Sequence, residues 1–373
     1  MQAAKLRLKN FRNYEELEIS LSKGVNILMG SNAQGKTNLL EALFYCATGR
    51  SHRGAKDKEV VRDTASEALI NLTFLSQKEN LKETQEKIEM LLRKSGRKSL
   101  MINDYPVRRI NDLFGRFQVV MFSPEDLSIV KDGPSVRRKF MDMEICQVDP
   151  VYLYNLQQFT KVLRQRNQLL KSLQKGQEDE ALLRETLFAW NGQLALFGTK
   201  IMERRARFVE ELEKDAVMIH AHLTAGKEQL HLLYKPGFVN PLSQEAFLRA
   251  LEDGVERDIR AGMTVLGPQH DDMRLFINDK DVSIYGSQGQ TRTAALTLKL
   301  SEMEIMKREM REAPVLLLDD VMSELDADRQ QELTGYIKSH QTLITCTGIE
   351  DSIKKLGAER IFRVSQGIVE AGR

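Results

Sequence analysis

Gly30-Ser31-Asn32-Ala33-Gln34-Gly35-Lys36-Thr37 fits the pattern GxxxxGK[ST]. Glycine at both ends lets the chain curl until successive backbone N–H groups point inward at phosphate oxygens. The lysine adds a point charge, and the Thr37 hydroxyl is a ligand for Mg²⁺. Before the loop, Val25-Asn26-Ile27-Leu28-Met29 is a short apolar run of the kind that makes a buried strand. After it, Leu39, Leu40, Leu43 and Phe44 recur at helical spacing. Strand, glycine-rich loop and helix in that order are the context such a loop needs, because the helix turns its positive end to the same anion. The stretch therefore predicts a nucleoside triphosphate site built from Gly30, Ser31, Asn32, Ala33, Gln34, Gly35, Lys36 and Thr37.

A phosphate loop needs a carboxylate to share its metal. Ala313-Pro314-Val315-Leu316-Leu317-Leu318 reads as a second buried strand, and it ends in Asp319-Asp320. Such a strand delivers two acids to the carboxyl edge of a sheet, where ligands of open α/β sheets bind. Asp319 is expected to hold Mg²⁺ with Thr37, and Asp320 to polarise an attacking water as general base. Farther up the chain, Gly286-Ser287-Gln288-Gly289-Gln290 opens a helical stretch carrying Ala294, Leu296, Leu298 and Leu300. A serine among small residues at a helix start is an ordinary cap; it is also an anion site.

Around these strings the chain is organised as sheet, helices, sheet. Leu6 and Leu8, then Leu17, Ile19 and Leu21, alternate across a polar turn at Asn10–Tyr14. Tyr152, Leu156, Phe159, Leu163, Leu170 and Leu173 follow a four-three rhythm that only Arg166 breaks. A polar turn at Gly176–Asp179 leads to a second seam from Leu183 to Leu212 that includes Trp190. Two seams joined by a short loop predict an antiparallel helical hairpin, too short for a long rod. Met273, Leu275 and Ile277 alternate, and Thr342-Leu343-Ile344-Thr345 is another strand run. The expected fold is α/β: a discontinuous head of residues 1–140 and 263–373 with a mixed sheet, and a mainly helical lobe inserted at 141–262.

Composition limits the function classes. The 373 residues carry 55 Lys and Arg against 53 Asp and Glu, so a polyanion has to be met by local patches. Cys46, Cys146 and Cys346 are too dispersed for a disulfide framework or a zinc cluster. Neither a leader-like apolar segment nor a membrane-length run is present, so a cytoplasmic protein with no membrane partner is expected. Basic clusters lie at Arg50–Lys58, Arg93–Lys98, Arg108-Arg109, Arg137-Arg138-Lys139 and Arg204-Arg205-Arg207. Each is ordinarily a solvated face; together they could follow a DNA backbone without reading bases.

The order phosphate loop, SxGQ, apolar strand with two acids, then Ser323-Glu324-Leu325-Asp326 resembles that of ABC-type ATPases. Within that class the chain resembles the RecF family over essentially its whole length. The strings that carry the likeness include Leu8-Lys9-Asn10-Phe11-Arg12-Asn13-Tyr14, Ala47-Thr48-Gly49-Arg50-Ser51-His52-Arg53, Ser123-Pro124-Glu125-Asp126-Leu127 and Gly133-Pro134-Ser135-Val136-Arg137-Arg138. Leu163-Arg164-Gln165-Arg166-Asn167, Gly267-Pro268-Gln269-His270-Asp271-Asp272 and Tyr285-Gly286-Ser287-Gln288-Gly289-Gln290 complete them. The resemblance implies an ATP-dependent homodimer in which Ser287, Gly289 and Gln290 of one copy seal ATP held by the other. It also implies a DNA-bound role in recombinational repair beside RecO- and RecR-type mediators, with slow hydrolysis for release.

Three departures from the wider pattern stand out. Asp320 occupies a position where many ABC ATPases carry Glu. Ile344-Thr345-Cys346-Thr347 lacks the switch histidine of transporters, leaving Thr347 as the candidate contact. Gln269-His270 stands where many relatives read His-Arg. Arg12 is a candidate for phosphate or adenine, and Gln118 a weaker one for the glutamine loop. A transporter subunit would have the histidine and a much shorter span between loop and signature, and an SMC-like structural ATPase would need far longer heptads. A nucleotide kinase would leave Ser287 unexplained.

Overall fold

The computed structural model describes residues 1–77, 83–176, 180–238, 242–322, 327–348 and 357–372. The chain forms two compact units: residues 1–127, 218–229 and 292–373, and residues 128–217 and 230–291.

The first unit is built on two sheets. Strands β1 (Gln2–Phe11), β2 (Tyr14–Ser20), β4 (Glu67–Ser76), β5 (Thr84–Arg93), β6 (Ser99–Ile102) and β7 (Tyr105–Val107) form an antiparallel sheet in the order β2-β1-β4-β5-β6-β7. In β4 every second residue is buried, the signature of a sheet covered on one face. The other sheet contains β3 (Val25–Met29), β8 (Val119–Phe122), β12 (Val315–Asp319), β13 (Thr342–Cys346), β14 (Arg360–Ser365) and β15 (Ile368–Gly372), ordered β15-β14-β3-β13-β12-β8. All its pairings are parallel except β14 with β15. Val119–Phe122 and Val315–Leu318 are buried throughout because a parallel sheet is covered on both faces. Helix α1 (Lys36–Thr48) packs against strands of both sheets, and the short α2 (Asp57–Val60) follows it. Gly49, at φ 70°, stops α1 by returning its N–H to the Tyr45 carbonyl. Helix α3 (Leu127–Lys131) begins where this stretch of the unit ends, and α11 (Ala327–Ser339) lies between β12 and β13.

The second unit holds α4 (Pro134–Val148), α5 (Pro150–Gln174), most of α6 (Glu180–Leu223), α7 (Gln244–Asp253), α8 (Val255–Ala261) and α9 (Val282–Tyr285). Asp149 caps α5 by accepting from the Tyr152 N–H at 2.9 Å, with Pro150 at the first helical position. Helices α5 and α6 run antiparallel: the Tyr154 and Phe197 rings meet at 6.2 Å, and Leu170 and Leu173 pack with Leu187. The second helix is longer than its seam predicts, at 44 residues or about 66 Å. Arg166 does not break the seam but fills it. Its guanidinium is buried, donating to Asn191 Oδ1, Asp258 Oδ2 and Thr264 Oγ1, each at 2.7 Å. Of the turn expected at 176–179, residues 177–179 lie outside the described residues.

The alternating Met273–Ile277 run is a strand, β10 (Asp272–Ile277), but not a strand of the head sheet. It pairs with β9 (Leu230–Lys235) and β11 (Lys280–Asp281) in a three-stranded sheet of the second unit. The division at residues 127 and 291 thus differs from the sequence-based bounds at 140 and 262. Buried pairs across the second unit tie Arg137 of α4 to Asp272 of β10, and Arg205 of α6 to Asp271. Helix α10 (Gln288–Met310) starts in this unit and continues into the first.

Candidate functional site

Parallel strands β3, β13, β12 and β8 all end on one edge of their sheet, so the segments that follow them gather there. The result is a cleft of about 430 Å³ lined by Asn32, Ala33, Gly35, Lys36, Thr37, Asn38, Arg53, Pro124, Glu125, Asp319, Asp320 and Thr345. The phosphate loop and the two acids therefore form one site.

The loop is held from outside. A Cβ on Gly30 would lie 2.2 Å from the Val364 carbonyl oxygen of β14, so only glycine fits there. Gly35 stands at φ 113°, a backbone region that other residues avoid. Tyr14 donates its hydroxyl to the Gly35 carbonyl at 2.9 Å, and Asn13 its amide to the Gln34 carbonyl at 2.8 Å. Burial pushes the Tyr14 hydroxyl well above the usual tyrosine range, which keeps it a donor. The turn read as Asn10–Tyr14 thus braces the loop. Lys36 is buried, its ammonium donating to the carbonyls of Gly30 at 2.6 Å and Ser31 at 2.9 Å.

Asp319 accepts at Oδ1 from the Thr37 hydroxyl at 2.8 Å and from the Thr345 hydroxyl at 2.7 Å. Burial raises its carboxyl above the usual aspartate range; the two hydroxyls and the charge of Arg53 oppose that rise without cancelling it. Asp320 follows in the left-handed region at φ 56°, its N–H donating to Thr345 Oγ1 at 2.9 Å. Aspartate tolerates that conformation better than most residues.

Thr345, rather than Thr347, is the cleft-lining threonine, because β13 places it in register with Asp319. Arg53 and Glu125 also line the cleft. Glu125 belongs to a string that marks the family likeness, and Arg53 to such a string and to a basic cluster, but neither is expected in this cleft. Glu125 is findable as a residue soon after the end of a parallel strand. Two weaker candidates lie elsewhere. Gln118 is buried at the opposite end of β8, where its carbonyl accepts from the Val315 N–H at the start of β12. Arg12 forms a two-pronged ion pair with buried Glu41, both contacts at 2.8 Å. Residues 323–326, the Ser-Glu-Leu-Asp string, lie outside the described residues.

Ser287 is in the second unit, exposed at the start of α10. Its hydroxyl accepts from the Gln290 N–H at 3.2 Å, and the Gln290 side-chain oxygen accepts from the Ser287 N–H at 3.0 Å. This reciprocal box satisfies a helix end and leaves Ser287 at the surface. A Cβ on Gly289 would meet Ser287 Oγ at 3.9 Å, an ordinary contact distance. Gln269, half-buried, and His270, exposed, both bond the Thr264 carbonyl.

The model of the RecF/RecN/SMC N terminal domain matches residues 3–368. The DNA replication and repair protein RecF of Lachnoclostridium phytofermentans is 44% identical over 368 residues, 98% of this chain and 99% of that one. The chain belongs to the RecF family. RecF of Lachnospira eligens, also 44% identical, covers 98% of both chains. A solved RecF–ATP structure, described as a recombination mediator of the RecFOR pathway, superposes with a TM-score of 0.90 at 34% identity. It covers 100% of this RecF-family chain and 98% of its own. An Smc head domain from Pyrococcus furiosus, 17% identical with a TM-score of 0.57 and covering 100% and 96%, shares the fold. The expected α/β head architecture is therefore the one present.

Proposed function

We propose that this chain is an ATP-switched DNA-binding protein of replication and recombinational repair, closing as a homodimer around two ATP molecules and opening on slow hydrolysis. The observation that carries this reading is the convergence of the Gly30–Thr37 loop, Asp319 and Asp320 in one cleft. In it, Lys36 exchanges the carbonyls of Gly30 and Ser31 for phosphate oxygens, and the loop N–H groups hold the remaining charge. Thr37 Oγ1 and Asp319 Oδ1 are hard oxygen donors side by side, a set that suits Mg²⁺. The bound ion would supply charge neutralisation on the β- and γ-phosphates. Asp320, held at the cleft by Thr345, takes the proton of the attacking water. Its side chain is one methylene shorter than glutamate, which agrees with slow turnover.

Ser287, Gly289 and Gln290 lie at the surface of the other unit, and in this reading they seal the ATP of a second copy. Relatives named as DNA replication and repair proteins, and a RecF structure with ATP described within the RecFOR pathway, support the setting and RecO- and RecR-type partners. Sedimentation of the wild type and Ser287→Arg, with and without ATP–Mg²⁺, tests the reading. The wild type should dimerise with ATP, while Ser287→Arg binds ATP as a monomer. A Ser287→Arg protein that dimerised like the wild type would overturn the trans arrangement.

A further inference from the structure

The five basic clusters of the chain receive two different treatments. In the second unit most of the charges are tied into the fold, with Lys139 and Arg207 the exposed members of their clusters. Arg137 pairs with Asp272 at 2.6 Å, Arg204 with Asp149 at 3.0 Å, and Arg205 with Asp142 and Asp271, both at 2.7 Å; all three arginines are buried. Arg138 donates to the Asp271 carbonyl at 2.8 Å. These side chains hold α4, α6 and β10 together.

The clusters at 50–58, 93–98 and 108–109 belong to the first unit, and the fold draws them onto one face. Lys98 is the hub: its ammonium donates to the Gly49 carbonyl at 2.6 Å, pairs with Asp57 at 3.2 Å and lies 5.7 Å from the centre of the Tyr45 ring. The Gly49 turn is so close to Ile110 that a Cβ would fall 2.6 Å from its side chain. The pairing of Leu100 with Val107 brings Lys98 and Arg109 to the same end of a hairpin.

Together the three segments hold ten lysines and arginines against one carboxylate, Asp57, which Lys98 and the Tyr45 hydroxyl already occupy. Arg50, Lys56, Lys58, Arg97, Arg108 and Arg109 are exposed and form no ion pair among the described residues. Glu59 and Glu67 flank the face; the first caps the Lys56 N–H and the second pairs loosely with Arg93. Like charges so crowded repel one another, and a polyanion laid across them relieves that repulsion.

We propose that this face of the first unit holds the phosphate backbone of duplex DNA, and that the clusters at 137–139 and 204–207 do not. The proposal rests on the DNA-binding reading given above. The choice of duplex follows from the aromatics. Proteins that grip single strands stack successive bases on several rings. Here Tyr105, 76% exposed at the turn end of the hairpin, is the one large exposed aromatic among the described residues of the first unit.

The full chain carrying Lys56→Gln, Arg97→Gln and Arg109→Gln tests this against a Lys5→Gln, Arg7→Gln control, whose charges are already matched by Glu18. Affinity for duplex and single-stranded DNA is measured with ATP across a salt series, and ATP binding is measured separately. Each lost phosphate contact flattens the plot of log affinity against log salt by about 0.9, so the triple variant should lose roughly 2 to 3 from its duplex slope. ATP affinity and the control slope should stay at wild-type values. A wild-type duplex slope in the triple variant, an equal loss in the control, or a loss confined to single strands would overturn the assignment. Absence of ATP-dependent DNA binding by the wild type would instead remove the underlying reading, and the assignment with it.

Discussion

The Thr37 hydroxyl donates to Asp319 Oδ1 at 2.8 Å, joining two residues 282 positions apart in the chain. Their meeting depends on β3 and β12 running parallel with β13 between them, so that the loop after one and the acid ending the other share an edge. Thr37→Val keeps the shape and deletes the donor. Asp319 retains Thr345, so the cost in stability should be about 1 kcal/mol. ATP affinity with Mg²⁺ should fall about tenfold or more, corresponding to one charge-assisted contact. With EDTA present the two proteins should bind ATP alike. Titration calorimetry in both buffers checks this; an equal loss without the metal would mean that Thr37 acts on the phosphates and not through the ion.

Arg12 and Glu41 give a second outcome. Glu41 is fully buried, and burial alone would raise its carboxyl; the Arg12 guanidinium and the Ser51 hydroxyl outweigh that and hold it below the usual range. Arg12→Gln leaves this carboxylate without its cation, and unfolding in urea should show a loss of about 3 kcal/mol. Arg12→Met with Glu41→Leu removes both charges and should recover most of it. Arg12 is absent from the cleft lining, so ATP affinity should change little in either variant. A loss of affinity out of proportion to stability would restore Arg12 as a phosphate ligand.

How far the sequence reaches depends on whether a feature is local. The loop at Gly30–Thr37 and the Asp319-Asp320 strand end carry their meaning in consecutive residues, and the structure joins them as expected. Register does not work that way. Thr345 reaches Asp319 because β13 pairs with β12 at that position, and alternation alone cannot say which sheet a strand enters. The same blindness put Met273–Ile277 with the head sheet, although its partners are β9 and β11. Arg166 looked like an interruption because its acid, Asp258, comes 92 positions later on α8. The two kinds of basic cluster were likewise indistinguishable: Arg205 and Arg109 differ only in whether a distant aspartate reaches them.

His52, beside cleft-lining Arg53, supplies a pH signature. Neither ring nitrogen has a hydrogen-bond partner among the described residues, and the ring packs edge-on against Phe44 at 5.8 Å. Burial pushes its pKa down to about 4, with the Glu41 charge opposing. A base whose pKa is lower folded than unfolded is neutral in both states above about pH 6.5, so it costs nothing there. Below that pH the unfolded chain takes up the proton first, and stability falls until the folded pKa is reached. Between pH 7.5 and 4.5 the wild type should therefore lose about 2–3 kcal/mol more than His52→Phe, which keeps the ring contact and cannot titrate. Urea unfolding of both proteins at the two pH values measures the difference. Parallel losses would mean that His52 is protonated in the folded protein as readily as in the unfolded chain, and that its nitrogens are reached by water.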